Sequence, residues 1–366
     1  MRLRRVAAMA IATTMLLAAC NAGGGSSAAA LKPVRLQLQW LPQEQFCGYY
    51  AALDQGFYKD QGLDVTILPG AVDIVPATVV AAGNAEFGIS WLPKALASRE
   101  NGADIQFIGQ PFQRSPTLQI AFKDKGITKP TDWKGKKVGS WGYGNEAELY
   151  AAIRKAGLDP NNPADVTIVN QDFTMNAFVN GDIDAAQAMQ YNEYAQVLET
   201  KNPTTGELYK PEDLDVISMQ DAGTSMLQDG IFADESWLKE SGNEDTAVAF
   251  LTAAYKGWQF CRDNPDKAVD MILKYDAKLP KVHQAWQLNE VNKLIWPSPN
   301  GIGTMDQALY DQTVQIATDG KILTKPVEGQ AFRNDLTAKA LKALEGTDTT
   351  GASWTPTTVT LTAGGQ

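Results

Sequence analysis

Histidine is almost missing from this chain: His283 is the only one in 366 residues. A metal centre or a proton relay built on imidazoles therefore has little to work with. Cysteine is scarce as well, limited to Cys20, Cys47 and Cys261, and no metal-spaced Cys/His group occurs. There is no GxxxxGK phosphate loop, no recognisable Ser/His/Asp set and no carboxylate spacing that marks a general acid/base pair. Internal repeats and long low-complexity segments are absent too. Positive charge is in deficit, and the formal net charge of −10 argues against nucleic acid and against electrostatic steering of an anionic substrate. The apolar run at 6–17 is shorter than the roughly 20 residues a membrane-spanning helix needs.

That short run has a different meaning. Arg2, Arg4 and Arg5 precede it, and Leu17-Ala18-Ala19-Cys20 closes it with the pattern of a bacterial lipobox. Residues 1–19 are expected to be a removable signal peptide. Cys20 would then carry lipid, and 20–31, rich in Gly, Ser and Ala, would be a flexible tether. The mature chain keeps 347 residues at a formal charge of −13, enough for two lobes of ordinary domain size. With Cys20 lipidated, Cys47 and Cys261 remain as an even pair in an oxidising compartment. Two readings stay open: a disulfide joins them, or each is a separately buried thiol.

The stretch 34–65 is the most structured part of the sequence. Val34, Leu36 and Leu38 alternate with Arg35, Gln37 and Gln39 as in a strand. Phe46, Tyr49, Tyr50, Leu53 and Phe57 then recur at helical spacing, and Gly56 and Gly62 end that helix before a second strand at 63–67. Further along, helix is expected at 73–82 and 94–100, and strand at 85–90, 105–108 and 117–122. A segment at 124–133 reads as a crossover to a second lobe. That lobe is expected to hold strands at 137–139, 166–169, 184–189 and 216–217, with helices at 146–155, 173–180 and 193–200. GIFAD at 230–234 would return the chain to the first lobe, followed by mainly helical sequence with amphipathic stretches at 245–261 and 283–295. The tail, 346–366, is expected to be irregular apart from a possible strand at 359–361. The β-α-β rhythm defines a layered α/β protein.

WLP followed by FCGYYAALDQGFYKDQGLDV resembles the opening of solute-binding proteins of ABC importers. The pattern is most similar to the branch related to thiamine-pyrimidine synthases, which includes binders of thiamine-pyrimidine precursors, riboflavin, nitrate, sulfonate and taurine. The resemblance implies a two-lobed periplasmic-binding-protein type II fold, with mixed sheets flanked by helices and two hinge crossings. Lobe 1 would comprise 32–123 and 231–345, and lobe 2 would comprise 124–230. It also implies an extracytoplasmic, lipid-anchored monomer that partners a permease and an ATPase, with no cofactor.

Ligands of open α/β sheets sit beyond the carboxyl ends of strands. That rule groups Trp40, Gln45, Phe46, Tyr49 and Tyr50 in one candidate loop, and Ser90, Trp91 and Gln110 at two other strand ends. GSWGYGNE, 139–146, offers Trp141 and Tyr143 as stacking faces. Gly142, Gly144 and Asn145 would let a helix N-terminus approach a bound atom. The resemblance places Tyr191, Asn192 and Glu193 on the cleft, with Glu193 suited to an exocyclic amine and a ring N–H. Asp229, just before GIFAD, is a further ligand-binding candidate. Each position also has a structural reading: Asn145 and Asn192 as caps, Trp91 as core, Asp229 as a hinge carboxylate and His283 as a structural residue. A flat nitrogen heterocycle is the favoured guest, first a hydroxymethyl- or formylaminopyrimidine and then riboflavin. The three loops at 40–50, 139–146 and 189–194 lack Arg and Lys, which disfavours nitrate, taurine or an alkanesulfonate. Arg114, near Gln110, keeps an anion as the alternative. A synthase-like enzyme is a further alternative, but that family's cysteine-rich iron motif is missing here. A sensor or adhesin on the same lobes is the third.

Overall fold

The computed structural model describes residues 30–366, so the expected leader, the Cys20 lipid site and most of the tether lie outside the described residues. The chain forms ten strands: β1 (Lys32–Gln37), β2 (Leu63–Leu68), β3 (Phe87–Ser90), β4 (Ile105–Gly109), β5 (Thr117–Phe122), β6 (Lys137–Ser140), β7 (Thr167–Asn170), β8 (Ala185–Met189), β9 (Leu214–Ser218) and β10 (Gly230–Asp234). They assemble into two five-stranded sheets, ordered β2-β1-β3-β10-β4 and β7-β6-β8-β5-β9. In the first, β1 runs parallel to β2 and β3, while β10 is antiparallel to β3 and β4. In the second, β6 is parallel to β7 and β8, and β5 is antiparallel to β8 and β9. Both sheets are mixed, with helices packed on them. Among the described residues no helix is long and apolar enough to cross a membrane.

The opening unit forms much as its periodicity requires. Val34 and Leu36 are buried on β1, and the helix Cys47–Asp54 ends where Gly56 takes a left-handed conformation. That helix lies against the long helix Asn243–Asp263. Any side chain at Gly257 would strike the Gly48 carbonyl, so glycine permits the close approach. The same contact joins Cys47 and Cys261 in a disulfide, with Cα atoms 6.3 Å apart.

Three expectations need correction. Strand 117–122 was assigned to the first lobe, yet β5 pairs with β8 and β9 in the second sheet. The first crossing between sheets is therefore the segment 110–116, ahead of β5, and 124–133 lies within the second half. Strand alternation reveals which face is buried but not which sheet is joined, and both partners of β5 come much later in the sequence. Two helices are shorter than expected, Pro76–Ala81 and Asn176–Val179. No strand forms at 359–361; the tail instead follows the helix Lys281–Ile295, where the Thr357 N–H donates to Asn289 Oδ1 at 2.8 Å.

The two connecting segments, 110–116 and 219–229, are held together by one carboxylate. Glu148, on the helix Ala147–Lys155, accepts from Ser115 Oγ at 2.9 Å, from Gln228 Nε2 at 3.1 Å and from the Met226 backbone N–H. Burial pushes its pKa up to about 7 against these hydrogen bonds.

Candidate functional site

A cavity of about 750 Å³ opens between the two sheets, lined by residues that follow β1, β3, β6 and β8. The size is that of a site for a small organic molecule. On the first-lobe side Gln39 and Trp40 follow β1, and Trp91 follows β3. Gly230 pairs antiparallel with Ser90, which brings Asp229 beside the carboxyl end of β3. Asp229 is only 2% exposed and has φ +37°. It accepts hydrogen bonds from Gln39 and from Gln45 Nε2, the latter at 2.8 Å, while Gln43 Nε2 donates to Gln45 Oε1 at 2.7 Å. Burial raises the Asp229 pKa to about 6, opposed by hydrogen bonds from Gln45, Gln39 and Trp91. The result is a wall of amides aligned by one hidden carboxylate.

Lys94 completes that wall from the helix Leu92–Glu100. Its Nζ lies 3.3 Å from Asn145 Oδ1 and 5.4 Å from the Trp91 ring centroid. Burial pulls its pKa down, while Asp229 and Glu146 act in the opposite direction.

The second-lobe wall is built differently. Trp141 and Asn145 line the cavity from the loop after β6, and Tyr143 stands at its rim, 73% exposed. Gly142, Tyr143 and Gly144 all have positive φ, at 69°, 56° and 85°, a conformation costly for tyrosine and ordinary for glycine. The Gly144 N–H donates to Glu146 Oε2 at 2.9 Å. The loop's own carboxylate therefore takes the amide expected to meet a ligand, and neither Gly142 nor Gly144 lines the cavity. Phe173 reaches between the lobes, 4.7 Å from Trp40 and 6.4 Å from Trp141 between ring centroids. The buried Trp141 indole N–H has no hydrogen-bond partner.

Beyond β8, Glu193 Oε2 accepts from the Met189 N–H at 2.9 Å and Oε1 from Asn192 Nδ2 at 2.7 Å. Burial raises the Glu193 pKa. Asn192 Oδ1 meets His283 Nε2 at 2.8 Å, and His283 Nδ1 meets both Glu199 carboxylate oxygens at 3.0 Å. His283 belongs to the helix Lys281–Ile295, outside the second sheet's own residues. A chain of polar contacts thus runs from Glu199 through His283 and Asn192 to Glu193.

Of the residues singled out in the sequence, Trp40, Gln45, Ser90, Trp91 and Trp141 line the cavity, as do Tyr143, Asn145, Tyr191, Asn192 and Glu193. Phe46, Tyr49 and Tyr50 do not. Phe46 is fully buried, Tyr49 sits edge-on to Trp258 at 5.7 Å, and Tyr50 packs on Tyr275 at 4.4 Å. The apolar face of their helix turns toward Asn243–Asp263, not the cleft. Gln110 is spent on the Phe112 carbonyl, at 2.8 Å, and the Gln228 carbonyl. Asp229 stands behind the wall it organises. Arg114 donates to the carbonyls of Lys293, Leu294 and Pro297 and is no part of the cavity. Gln39, Gln43, Lys94, Phe173, Glu199 and His283 line the cavity and were not foreseen. The strand-end rule would have reached Gln39, one residue before Trp40; nothing in the sequence links His283 to Asn192, 91 positions away.

A family model described as NMT1/THI5 like matches residues 43–268. The formylaminopyrimidine-binding protein of Halalkalibacterium halodurans is 24% identical over 332 residues, covering 88% of this chain and 96% of that protein. The riboflavin-binding protein RibY of Chloroflexus aurantiacus is 25% identical over 358 residues, covering 90% of this chain and 97% of that protein. Among solved structures, the periplasmic aliphatic sulphonate binding protein SsuA from Escherichia coli superposes with a TM-score of 0.61 at 18% identity, covering 81% of this chain and 90% of that one. That last likeness concerns the fold alone.

Proposed function

Because the chain belongs to the NMT1/THI5-like family, we propose that it is an extracytoplasmic solute-binding protein of an ABC importer that captures a small planar nitrogen heterocycle. A thiamine-pyrimidine precursor such as formylaminopyrimidine is the first choice. One observation carries the choice: an aromatic-lined cavity contains a buried carboxylate, Glu193, whose two oxygens each receive one protein donor. An ionised carboxylate offers about four acceptor directions, so an exocyclic amine and a ring N–H have room to bind side by side. Stacking on the indoles would add about 1–3 kcal/mol per ring, by analogy with bases on aromatic side chains. Together these support micromolar binding, about −8 kcal/mol.

Riboflavin is the second reading, favoured by the cavity's volume of about 750 Å³, which is generous for a single pyrimidine ring. The sulfonate, nitrate or taurine reading loses its main support, because Arg114 is held by backbone carbonyls. A synthase-like enzyme would need a nucleophile or cofactor-holding group. What favours binding over that reading is that the two binding-protein relatives span 88% and 90% of this chain. The lipobox at Cys20 supports anchoring on the outer face of the membrane, and the two sheets joined by two segments support closure around the guest. The lobes would divide near 110–116 and 219–229, and delivery would be to a permease and ATPase by a monomer.

Calorimetry with formylaminopyrimidine, riboflavin, taurine and nitrate tests this. Micromolar or tighter binding of either heterocycle is expected. Tight taurine or nitrate binding with no heat from either heterocycle would overturn it.

A further inference from the structure

Lys94 is the one lysine or arginine that lines the cavity among the described residues. An ammonium group has three N–H donors and no acceptor. Among the described residues Asn145 Oδ1, at 3.3 Å, is its one hydrogen-bond acceptor, and no carboxylate pairs with it directly. The Trp91 ring, 5.4 Å from Nζ, offers only a weak electrostatic contact. A partly buried cation with unused donors facing a cavity is costly unless something in the cavity accepts from it. Its position is also fixed: the bond to Asn145 spans from the first-lobe helix Leu92–Glu100 to the second-lobe loop after β6.

The charges around it narrow what the acceptor can be. Asp229 and Glu146 already act on Lys94 from a distance. Glu193 and Glu199 line the same cavity from the second lobe. A guest carrying a full negative charge would meet these carboxylates with only one cation to offset them. An uncharged oxygen meets no such penalty.

We infer that Lys94 is a specificity-determining residue that selects guests bearing a neutral acceptor oxygen, a carbonyl or hydroxyl, on the part of the molecule turned toward the first lobe. This rests on the heterocycle reading above and deepens it. The guest is bipolar: an amine or N–H edge donates to Glu193, and an oxygen elsewhere on the same molecule accepts from Lys94. An N-formyl oxygen on a pyrimidine side chain satisfies this, as does a flavin carbonyl or ribityl hydroxyl. A pyrimidine ending in a free aminomethyl group fails it, because it brings a second cation to the ammonium.

The test pairs a change in the ligand with a change in the protein. Binding of formylaminopyrimidine, its deformylated aminomethyl counterpart, riboflavin and flavin mononucleotide is measured calorimetrically with wild type, Lys94→Met and Lys94→Arg. Wild type is expected to prefer the formyl compound over the free amine by at least about tenfold, and riboflavin over flavin mononucleotide. Lys94→Met should reduce the formyl preference to within about threefold and weaken riboflavin by about tenfold, while Lys94→Arg retains most of both. A merely structural role would weaken all four ligands together and lower the melting temperature of the ligand-free protein. An unchanged preference in Lys94→Met, or uniform weakening, overturns the inference and leaves the heterocycle reading standing. Tighter binding of flavin mononucleotide than of riboflavin overturns the neutral-oxygen assignment. If wild type binds none of the four, the functional reading falls and takes this inference with it.

Discussion

The two walls of the cavity reach their geometry by different routes. On the first-lobe side, Asp229 receives Gln39 and Gln45 within a single sheet and its adjoining turn. That array needs nothing from the other lobe. On the second-lobe side, Glu193 is held by Asn192, and Asn192 in turn by His283, from a helix that follows the return of the chain to the first sheet. The amide array is contained within one sheet, and only Lys94 reaches from that wall to Asn145, whereas the Glu193 wall is completed by His283 from across the cleft. The first wall is thus a platform built within one sheet, while the second draws its His283 contact from a helix outside its own sheet.

Breaking the platform at its foundation should have the largest effect. Replacing Cys261 with Ser removes the tie between the helices Cys47–Asp54 and Asn243–Asp263. A loss of about 2–5 kcal/mol is expected in a urea titration, with little change in ligand affinity for the protein that remains folded. Comparable loss of affinity at unchanged stability would reverse the assignment.

The pH dependence of folding probes the junction between the walls. Glu148 and Asp229 both have raised folded pKa values, about 7 and about 6. Their folded forms hold protons more tightly than the unfolded chain. Their contribution is thus complete below pH 4 and is lost as pH rises through 6 and then 7. Denaturation midpoints should fall from pH 5 to pH 8, with Glu148 alone accounting for about 2–3 kcal/mol. Glu148→Gln should flatten that slope; an equally steep slope in the variant excludes Glu148 as its source.

On the second wall, Glu193→Gln replaces a charged acceptor and should weaken heterocycle binding by about 1.5–3 kcal/mol without reducing stability. Calorimetry on the variant reads this directly. His283→Ala acts on the same carboxylate through Asn192 and should weaken binding less, by about 1 kcal/mol. It should also reduce the compaction seen by small-angle scattering when ligand is added. If Gln39→Ala disturbs compaction as much as His283→Ala does, the contrast between the walls disappears.

Much of the legible part of the site came from one rule, that loops after strands face the ligand. It located Trp40, Trp91 and Trp141 because strand ends can be read from alternation and from Gly and Pro punctuation, while the family resemblance put Tyr191 and Glu193 on the cleft. It failed for Phe46, Tyr49 and Tyr50, whose helical periodicity marks a buried face without saying what buries it. It failed for Gln110 and Arg114 as well, since a polar side chain at a strand end can be consumed by nearby carbonyls. Lys94 was missed because it sits four residues past β3, inside a helix. The assignment of Thr117–Phe122 to the wrong sheet has the same origin: its neighbours on both sides are distant in sequence.

What the amino-acid order determined by itself is local: the strand and helix periods, the glycine stops, the acidic balance and the family pattern at 34–65. These follow from side-chain chemistry over a few residues. Only tertiary structure decided that β5 joins the second sheet, that His283 completes the far wall and that Lys94 lines the cavity. Each of those depends on segments brought together by burial of apolar surface, a force that acts without regard to distance along the chain.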